Sequence, residues 1–182
     1  VYWLFGSQVI IFEELPAERT PSGERKEELE ENVFPDGGYY LAAFNRGSEK
    51  EVLIFFDFGP LGTRLTGAHG HADALSVCLS IGGKWVFIDP GTYHYKNSLE
   101  RKSLRATSAH NTLTFGNLSS QDKYLGPFLW GNRHQVEGRH SAPGLFQGSV
   151  TWWSGETHNR TLSFSNEKLS LKDKWSGNSL PS

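Results

Sequence analysis

The sequence contains 182 residues, of which 18 are basic and 20 acidic, for a formal net charge of -2. Nucleic-acid-binding proteins usually carry a clear basic excess, so this balance argues against that class. No apolar run approaches the roughly 20 residues that a membrane-spanning helix requires. The single cysteine, Cys78, excludes an intramolecular disulfide framework. Because the sequence begins at Val1 and has no methionine, we expect a processed product or an excised piece of a longer protein.

Two segments have no apolar pattern. Residues 16–32 contain a charged run, E-R-K-E-E-L-E-E at 24–31, with a single apolar residue and therefore no core-facing stripe. We expect a solvated loop there. Residues 174–182 are expected to form a flexible tail or to mark a truncation point. The chain as a whole, 1–182, is predicted to be one domain.

The rest of the pattern, in chain order, is typical of successive β-strands. Runs of β-branched and aromatic residues are separated by turns that contain glycine or proline, and Gly82-Gly83 predicts a tight hairpin. No long segment keeps the 3.6-residue apolar period of a helix. The predicted strands are 8–12, 39–44, 51–58, 75–81, 84–88, 111–115, 145–153, 160–164 and 168–175. We therefore predict an all-β fold, a layered antiparallel β-sandwich.

Histidine is the most informative residue type. On a strand, residues i and i+2 share a face, so His69 and His71 would project in the same direction. Asp89 and His110 come later, at the ends of predicted segments. Two imidazoles, one carboxylate and a water form an ordinary zinc ligand set, so this region is a candidate metal site.

Known H-x-H patterns differ in the residues beyond the second histidine. A metallo-β-lactamase site would need another histidine at the position of Ala74, so that interpretation fails. A cupin site would need a glutamate at the position of Leu75 or Ser76. A cupin-like metalloprotein with a jelly-roll fold stays open because it is also all-β.

Three blocks of sequence fit a different family. They are G-A-H-G-H-A-D-A-L-S at 67–76, I-D-P-G-T-Y-H-Y at 88–95 and R-A-T-S-A-H-N-T at 105–112. In order and spacing they resemble the signature of heparinase II/III-like polysaccharide lyases. The upstream stretches F-P-D-G-G-Y-Y at 34–40 and D-F-G-P at 57–60 are also similar to that family.

The resemblance implies a fold, an activity and a set of site residues. Family members have an N-terminal α-helical toroid, absent from this chain, followed by an antiparallel β-sandwich, and they cleave acidic polysaccharides by β-elimination at a uronic acid. By similarity, zinc would be bound by His71, Asp89 and His110, and would be structural. His69 would face the cleft and take part in catalysis. Since the toroid supplies much of the active site, we expect little or no turnover by the chain alone.

Three further residues are expected to contact the substrate. Tyr93 and Tyr95 share a face if the segment is extended and would stack on sugar rings. Arg105 belongs to a locally basic segment that would attract a polyanion. The resemblance also implies a periplasmic or secreted location. The alternative to an enzyme is a non-catalytic, zinc-stabilised carbohydrate-binding or scaffold domain.

Overall fold

Two antiparallel sheets and a small hairpin account for the strands of the described residues. The computed structural model describes residues 2–4, 7–13, 29–114, 123–165 and 168–177, with the backbone alone for 2–4, 7–13 and 123. The elements are β1 (Tyr2–Leu4), β2 (Ser7–Glu13), β3 (Leu29–Phe34), β4 (Tyr39–Phe44), β5 (Val52–Asp57), β6 (Val77–Ile81), β7 (Lys84–Phe87), α1 (Leu99–Leu104), the 3-10 turn Thr107–Ala109, β8 (Lys123–Gly126), β9 (Leu129–Gly131), β10 (Gln135–Ala142), β11 (Leu145–Thr151), β12 (Thr157–Phe164) and β13 (Lys168–Ser176). The predicted all-β, antiparallel fold is confirmed.

The sheets have simple connectivity. One contains five strands in sequence order, from β3 to β7. The other contains six strands in the order β1-β2-β13-β12-β11-β10. Strands β5 and β12 alternate between more and less buried residues, as expected when one face of a sheet packs on a core. The hairpin β8–β9 stands apart from both sheets.

Aromatic side chains join the two sheets. Phe44 and Phe164 pack edge to face with ring centroids 4.6 Å apart. Phe146 contacts both Tyr40, at 4.7 Å, and Phe56, at 5.4 Å. Each pair takes one ring from the five-stranded sheet and one from the six-stranded sheet, so the core lies between the layers.

Two expected irregular segments are partly strand. Strand β3 begins at Leu29, inside the stretch 16–32 that was predicted to be a loop. The Glu31 carboxylate accepts hydrogen bonds from the Tyr40 hydroxyl and from the Gly144 amide, so this acidic residue is stabilised at a sheet edge. At the other end, β13 continues to Ser176, beyond the start predicted for the tail. Residues 14–28 and 178–182 lie outside the described residues.

Two predicted strand segments are irregular. Residues 75 and 76 precede β6, and residues 111–114 are not part of a ladder; Phe115 lies outside the described residues. In this region the Asn111 amide donates to the Ser76 hydroxyl at 3.1 Å, and the Thr112 hydroxyl donates to the Ala74 carbonyl at 2.7 Å. These bonds between side chain and backbone take the place of ladder bonds. Helix α1 was not predicted, since six residues are too few to show a helical period. No helix among the described residues is long and apolar enough to span a membrane.

Candidate metal centre and cleft

An open cavity of about 590 Å3 lies at one end of the five-stranded sheet. The turn between β3 and β4, the β5–β6 connection at 58–76 and the segment after β7 contribute its walls. Three of its lining residues, His69, His71 and Asp89, were singled out in the sequence. The irregular connections therefore carry the candidate site, while the strands support them.

The H-G-H motif forms a turn, so the expected strand geometry is wrong. His69 has a φ of 65°, in the left-handed region that non-glycine residues seldom adopt. No residue with a side chain fits at position 70, because a Cβ there would lie 2.5 Å from the Gly62 nitrogen. His69 and His71 nevertheless both line the cavity.

Four side chains converge beside this turn. One ligand atom each from His71, Asp73, Asp89 and His110 lies within 4.8 Å of all the others. The rings of His71 and His110 have centroids 5.3 Å apart. Nδ1 of His110 is 3.1 Å from Oδ2 of Asp89. The structure thus brings together the three residues that the resemblance implied as ligands and adds Asp73 to them.

The electrostatics of the group suit a bound cation. Burial, reinforced by neighbouring His110, lowers the pKa of His71 to about 4, so its imidazole is neutral near pH 7. His110 is the main cause that lowers the pKa of the Asp89 carboxyl, which is therefore ionised. Neutral imidazoles and ionised carboxylates are the forms that bind metals.

The donor set fits zinc. The His110 side chain is fully buried, and its Nε2 has no hydrogen-bond partner within the described part of the chain. A buried ring nitrogen without a partner carries a desolvation cost that a metal bond would remove. Histidine and aspartate at this separation are ordinary zinc ligands, and magnesium or calcium would favour an all-oxygen set.

An aromatic wall flanks His69. The His69 ring is exposed and lies 5.7 Å from the ring of Tyr95 and 5.8 Å from that of Phe128. These two rings are nearly parallel, with centroids 6.1 Å apart. The buried guanidinium of Arg101 lies against both of them, 5.1 Å from Tyr95 and 4.8 Å from Phe128. This cation–π contact stabilises the two rings, which both stay exposed to solvent.

The three predicted substrate contacts have different surroundings. Tyr95 is 60% exposed within the aromatic wall, and Tyr93 is 77% exposed. Tyr93 has a φ of 66°, so the segment is not extended and the premise that the two tyrosines share a face is wrong. Arg105 is 1% exposed, and its guanidinium donates to the carbonyls of Gly70 and Pro127. The structure therefore corrects the expected role of Arg105, since a buried fork bonded to backbone has no surface to offer a substrate.

Tyr39 and Asp57 were not predicted as site residues, although both line the cavity. Burial raises the pKa of Asp57 to about 6, and the carboxyl accepts a hydrogen bond from the Gly59 amide at 2.7 Å. Burial, with Asp57 and Asp73 nearby, raises the pKa of Tyr39 and keeps its hydroxyl protonated. The motifs at 34–40 and 57–60, which contain these two residues, could have indicated them in the sequence. Phe128 lies outside these motifs and could not be predicted, because the folding of the β8–β9 hairpin brings it next to His69.

The two packed antiparallel sheets, with a possible His/Asp metal group beside an open cleft, define a β-sandwich domain, and comparison identifies its family. Residues 27–179 match the family model described as heparinase II/III-like, C-terminal. The chain therefore belongs to the heparinase II/III-like family, of which it carries the C-terminal domain. The resemblance stated from the motifs is confirmed, and the cupin-like alternative finds no support.

Solved structures support the fold assignment. A crystal structure of heparinase III matches with a TM-score of 0.60 and 18% identity, over 82% of this chain and 23% of that one. The heparan sulfate lyase HepC from Pedobacter heparinus matches with a TM-score of 0.55 and 19% identity, over 78% of this chain and 21% of that one. The chain thus spans less than a quarter of the length of these proteins. Comparison with curated proteins finds no match.

Proposed function

We propose that this chain is the β-domain of a polysaccharide lyase that cleaves a uronic-acid-containing acidic polysaccharide by β-elimination. The observation that carries the proposal is the exposed His69, which lines one cavity with His71, Asp73 and Asp89, three of the four side chains that could hold a metal ion. The family supports a lyase domain. The two similar structures are named as a heparinase and a heparan sulfate lyase, which supports the substrate class.

β-Elimination makes three chemical demands on the site. The uronate carboxylate must be neutralised, the C5 proton must be removed, and the leaving 4-oxygen must be protonated. His69 is exposed in the cleft and is the histidine we propose for proton transfer or for carboxylate neutralisation. The remaining groups would come from a helical domain that precedes this one, so that the two domains share one active site.

Zinc is the metal that we propose for His71, Asp89 and His110. Elimination needs no metal-activated hydroxide, so we assign the ion a structural role. His71 lies on the β5–β6 connection, Asp89 follows β7, and His110 follows the 3-10 turn. One ion would therefore join three separate segments and hold the turn that presents His69.

Tyr95, with Phe128 beside it, is proposed to stack on a sugar ring, and the exposed Tyr93 to provide a further contact. The exposed rings of Tyr95 and Phe128 offer an apolar surface next to His69, which suits the face of a pyranose. A lyase that meets extracellular polysaccharide would work in the periplasm or outside the cell, and we propose that location.

The metal claim is tested on the chain itself. Purified chain should contain one zinc per molecule after dialysis, measured by elemental analysis, and His71→Ala should contain none. His140→Ala serves as the control, since this histidine lies on β10, where it contacts Glu31 rather than the metal group. Chain that stays metal-free in excess zinc would overturn the metal claim.

The lyase claim is tested in the natural protein that carries the proposed helical domain. Heparan sulfate and alginate are offered as substrates, and the unsaturated product is followed by its ultraviolet absorbance. His69→Ala should lower turnover by at least about a hundredfold, the usual contribution of a group that transfers protons. Binding of polysaccharide without any product would instead favour a non-catalytic carbohydrate-binding domain.

A further inference from the structure

Arg105 makes an unusual set of contacts around the H-G-H turn. Its Nε and Nη2 both donate to the Gly70 carbonyl, at 2.9 Å and 2.6 Å. The indole Nε1 of Trp130 donates to the same oxygen at 3.2 Å. A single carbonyl thus accepts hydrogen bonds from three side-chain donors, more than its two lone pairs would ordinarily take.

These contacts bracket one proposed metal ligand. The Gly70 carbonyl belongs to the peptide that leads into His71, and the Arg105 side chain holds it. On the other side of His71, the Ala72 amide donates to the Arg105 backbone carbonyl at 2.9 Å. His71 is therefore fixed from both directions by the same residue.

Arg105 also belongs to the segment that carries a second proposed ligand. It caps the C-terminus of α1, and only the short 3-10 turn separates it from His110. The guanidinium therefore links the Gly70 peptide, which precedes His71, to the segment that carries His110. Lysine could not reproduce this geometry, because a guanidinium is a rigid planar fork and an ammonium is a point charge.

A third contact extends the set to the hairpin. Nη1 of Arg105 donates to the Pro127 carbonyl at 2.8 Å, and Phe128 lies beside His69. The guanidinium carbon lies 5.0 Å from the centroid of the Trp130 ring. The turn between β8 and β9 is thus held by the same side chain that holds the H-G-H turn.

We infer that Arg105 is a positioning residue, which sets the spacing of the metal ligands His71 and His110 and couples the β8–β9 hairpin to that site. The inference rests on the proposed function, since it requires the metal. Arg105 acts through the Gly70 peptide and touches neither metal nor substrate. Its loss should therefore change metal affinity and the response of the hairpin to metal.

Zinc affinity of the full chain, measured by competition with a chromophoric chelator, tests the inference. Arg105→Lys keeps the charge and the backbone contact to Ala72 but removes the planar guanidinium with its several donors. This variant should bind zinc at least tenfold more weakly, as is usual when a group that supports a metal ligand is lost. Arg133→Lys is the matched control. Its Nη1 donates at 3.0 Å to another backbone carbonyl of the β5–β6 connection, that of Thr63, which does not flank His71. The zinc affinity of Arg133→Lys should therefore equal that of the unmodified chain.

Hydrogen exchange of the hairpin gives a readout that a merely structural role would not produce. Zinc should slow amide exchange in β8–β9 of the unmodified chain and should not do so in Arg105→Lys. Equal protection in both, or an affinity within twofold of the unmodified chain, would overturn the inference. If the unmodified chain itself binds no zinc, the metal claim of the proposed function fails first, and the two failures are thereby distinguished.

Trp130→Phe keeps the test decisive if Arg105→Lys does not fold. This change removes one donor from the Gly70 carbonyl and leaves an aromatic ring in the same place. Zinc binding should weaken by a few-fold. The thermal midpoint of the metal-free chain should also fall, because Trp130 is buried against Leu61 and Ala72, so zinc affinity of the folded variant is the quantity that is compared. Unchanged affinity in folded Trp130→Phe would then count against the inference.

Discussion

Replacing Arg160 by methionine should destabilise the chain more than most core substitutions. Arg160 lies on β12 and is buried, and its Nε and Nη2 bond the two oxygens of Asp173 at 2.7 Å and 2.9 Å. Its Nη1 donates to the carbonyls of two residues in irregular segments, Leu75, at 2.8 Å, and Asn111, at 2.6 Å. Methionine fills a similar volume but satisfies none of these four acceptors.

The magnitude is set by the groups left behind. Removing one partner of a buried ion pair costs about 3–5 kcal/mol, because the other charge stays buried. After the substitution the Asp173 carboxylate would keep its hydrogen bond with His158, at 2.7 Å, but not its ion pair with Arg160. Each carbonyl left without a donor adds roughly 1 kcal/mol or more. Since these groups share one network, the costs are not additive, and we expect a total of about 4–6 kcal/mol. For a domain of this size the thermal midpoint should fall by roughly 8–24 °C.

Urea unfolding of the chain, followed by circular dichroism at fixed zinc concentration, measures this loss. Arg139→Met on β10, in the same sheet, is the control, because Arg139 is exposed and should change the free energy of unfolding by no more than about 0.5 kcal/mol. Arg160→Met combined with Asp173→Asn should be more stable than Arg160→Met alone, since the double variant buries no unpaired charge. A loss below about 1 kcal/mol for Arg160→Met, or no recovery in the double variant, would refute the reasoning.

Three further predictions concern metal, pH and packing. Zinc at about a hundredfold excess over its Kd should stabilise the chain by about 2.7 kcal/mol, reversibly with EDTA, and an unshifted thermal midpoint would contradict the metal site. Burial alone would raise the pKa of Asp173, but Arg160 and His158 outweigh it and lower the pKa to about 2 from 3.8. This shift stabilises the folded chain by roughly 2 kcal/mol above the pKa of Asp173 in the unfolded chain, and the stabilisation is lost as pH falls toward 2. The free energy of unfolding, measured against pH, should therefore decrease in acid by this amount, and the decrease should be absent from Asp173→Asn. Gly138→Ala should cost about 1–3 kcal/mol in urea unfolding, because its Cβ would lie 2.3 Å from Phe58, whereas Gly126→Ala meets no atom within 4 Å and should cost little.

The strands were predictable because their pattern is local. Strand β4 has the predicted bounds, 39–44, and the Gly82-Gly83 turn joins β6 to β7 as expected. Strand β10 was missed, because nearly all of its residues are exposed and two-residue alternation is absent. Its place in the sheet depends on pairing with β11, which no local pattern records.

The site was predictable to the extent that its residues form recognisable blocks. His71, Asp89 and His110 lie together, as the resemblance implied. The geometry of the H-G-H turn was not predictable, because it depends on Gly62 and on a guanidinium 35 positions away in sequence. The same holds for Arg105, whose position in a basic segment suggested a surface role that burial excludes.

Two buried arginines explain how an irregular connection can carry an ordered site. His69 and Leu75 both lie in the β5–β6 connection with φ values of 65° and 62°, a conformation that costs a non-glycine residue roughly 1–3 kcal/mol. Arg105 holds the carbonyl next to His69, at Gly70, and Arg160 holds the carbonyl of Leu75 itself. Backbone that lacks ladder partners must find other donors when it is buried, and a guanidinium offers five. The β5–β6 connection lies beyond the ends of the strands that it joins. Arg105, at the C-terminus of α1, and Arg160, on β12, supply there the hydrogen bonds that a neighbouring strand would otherwise provide.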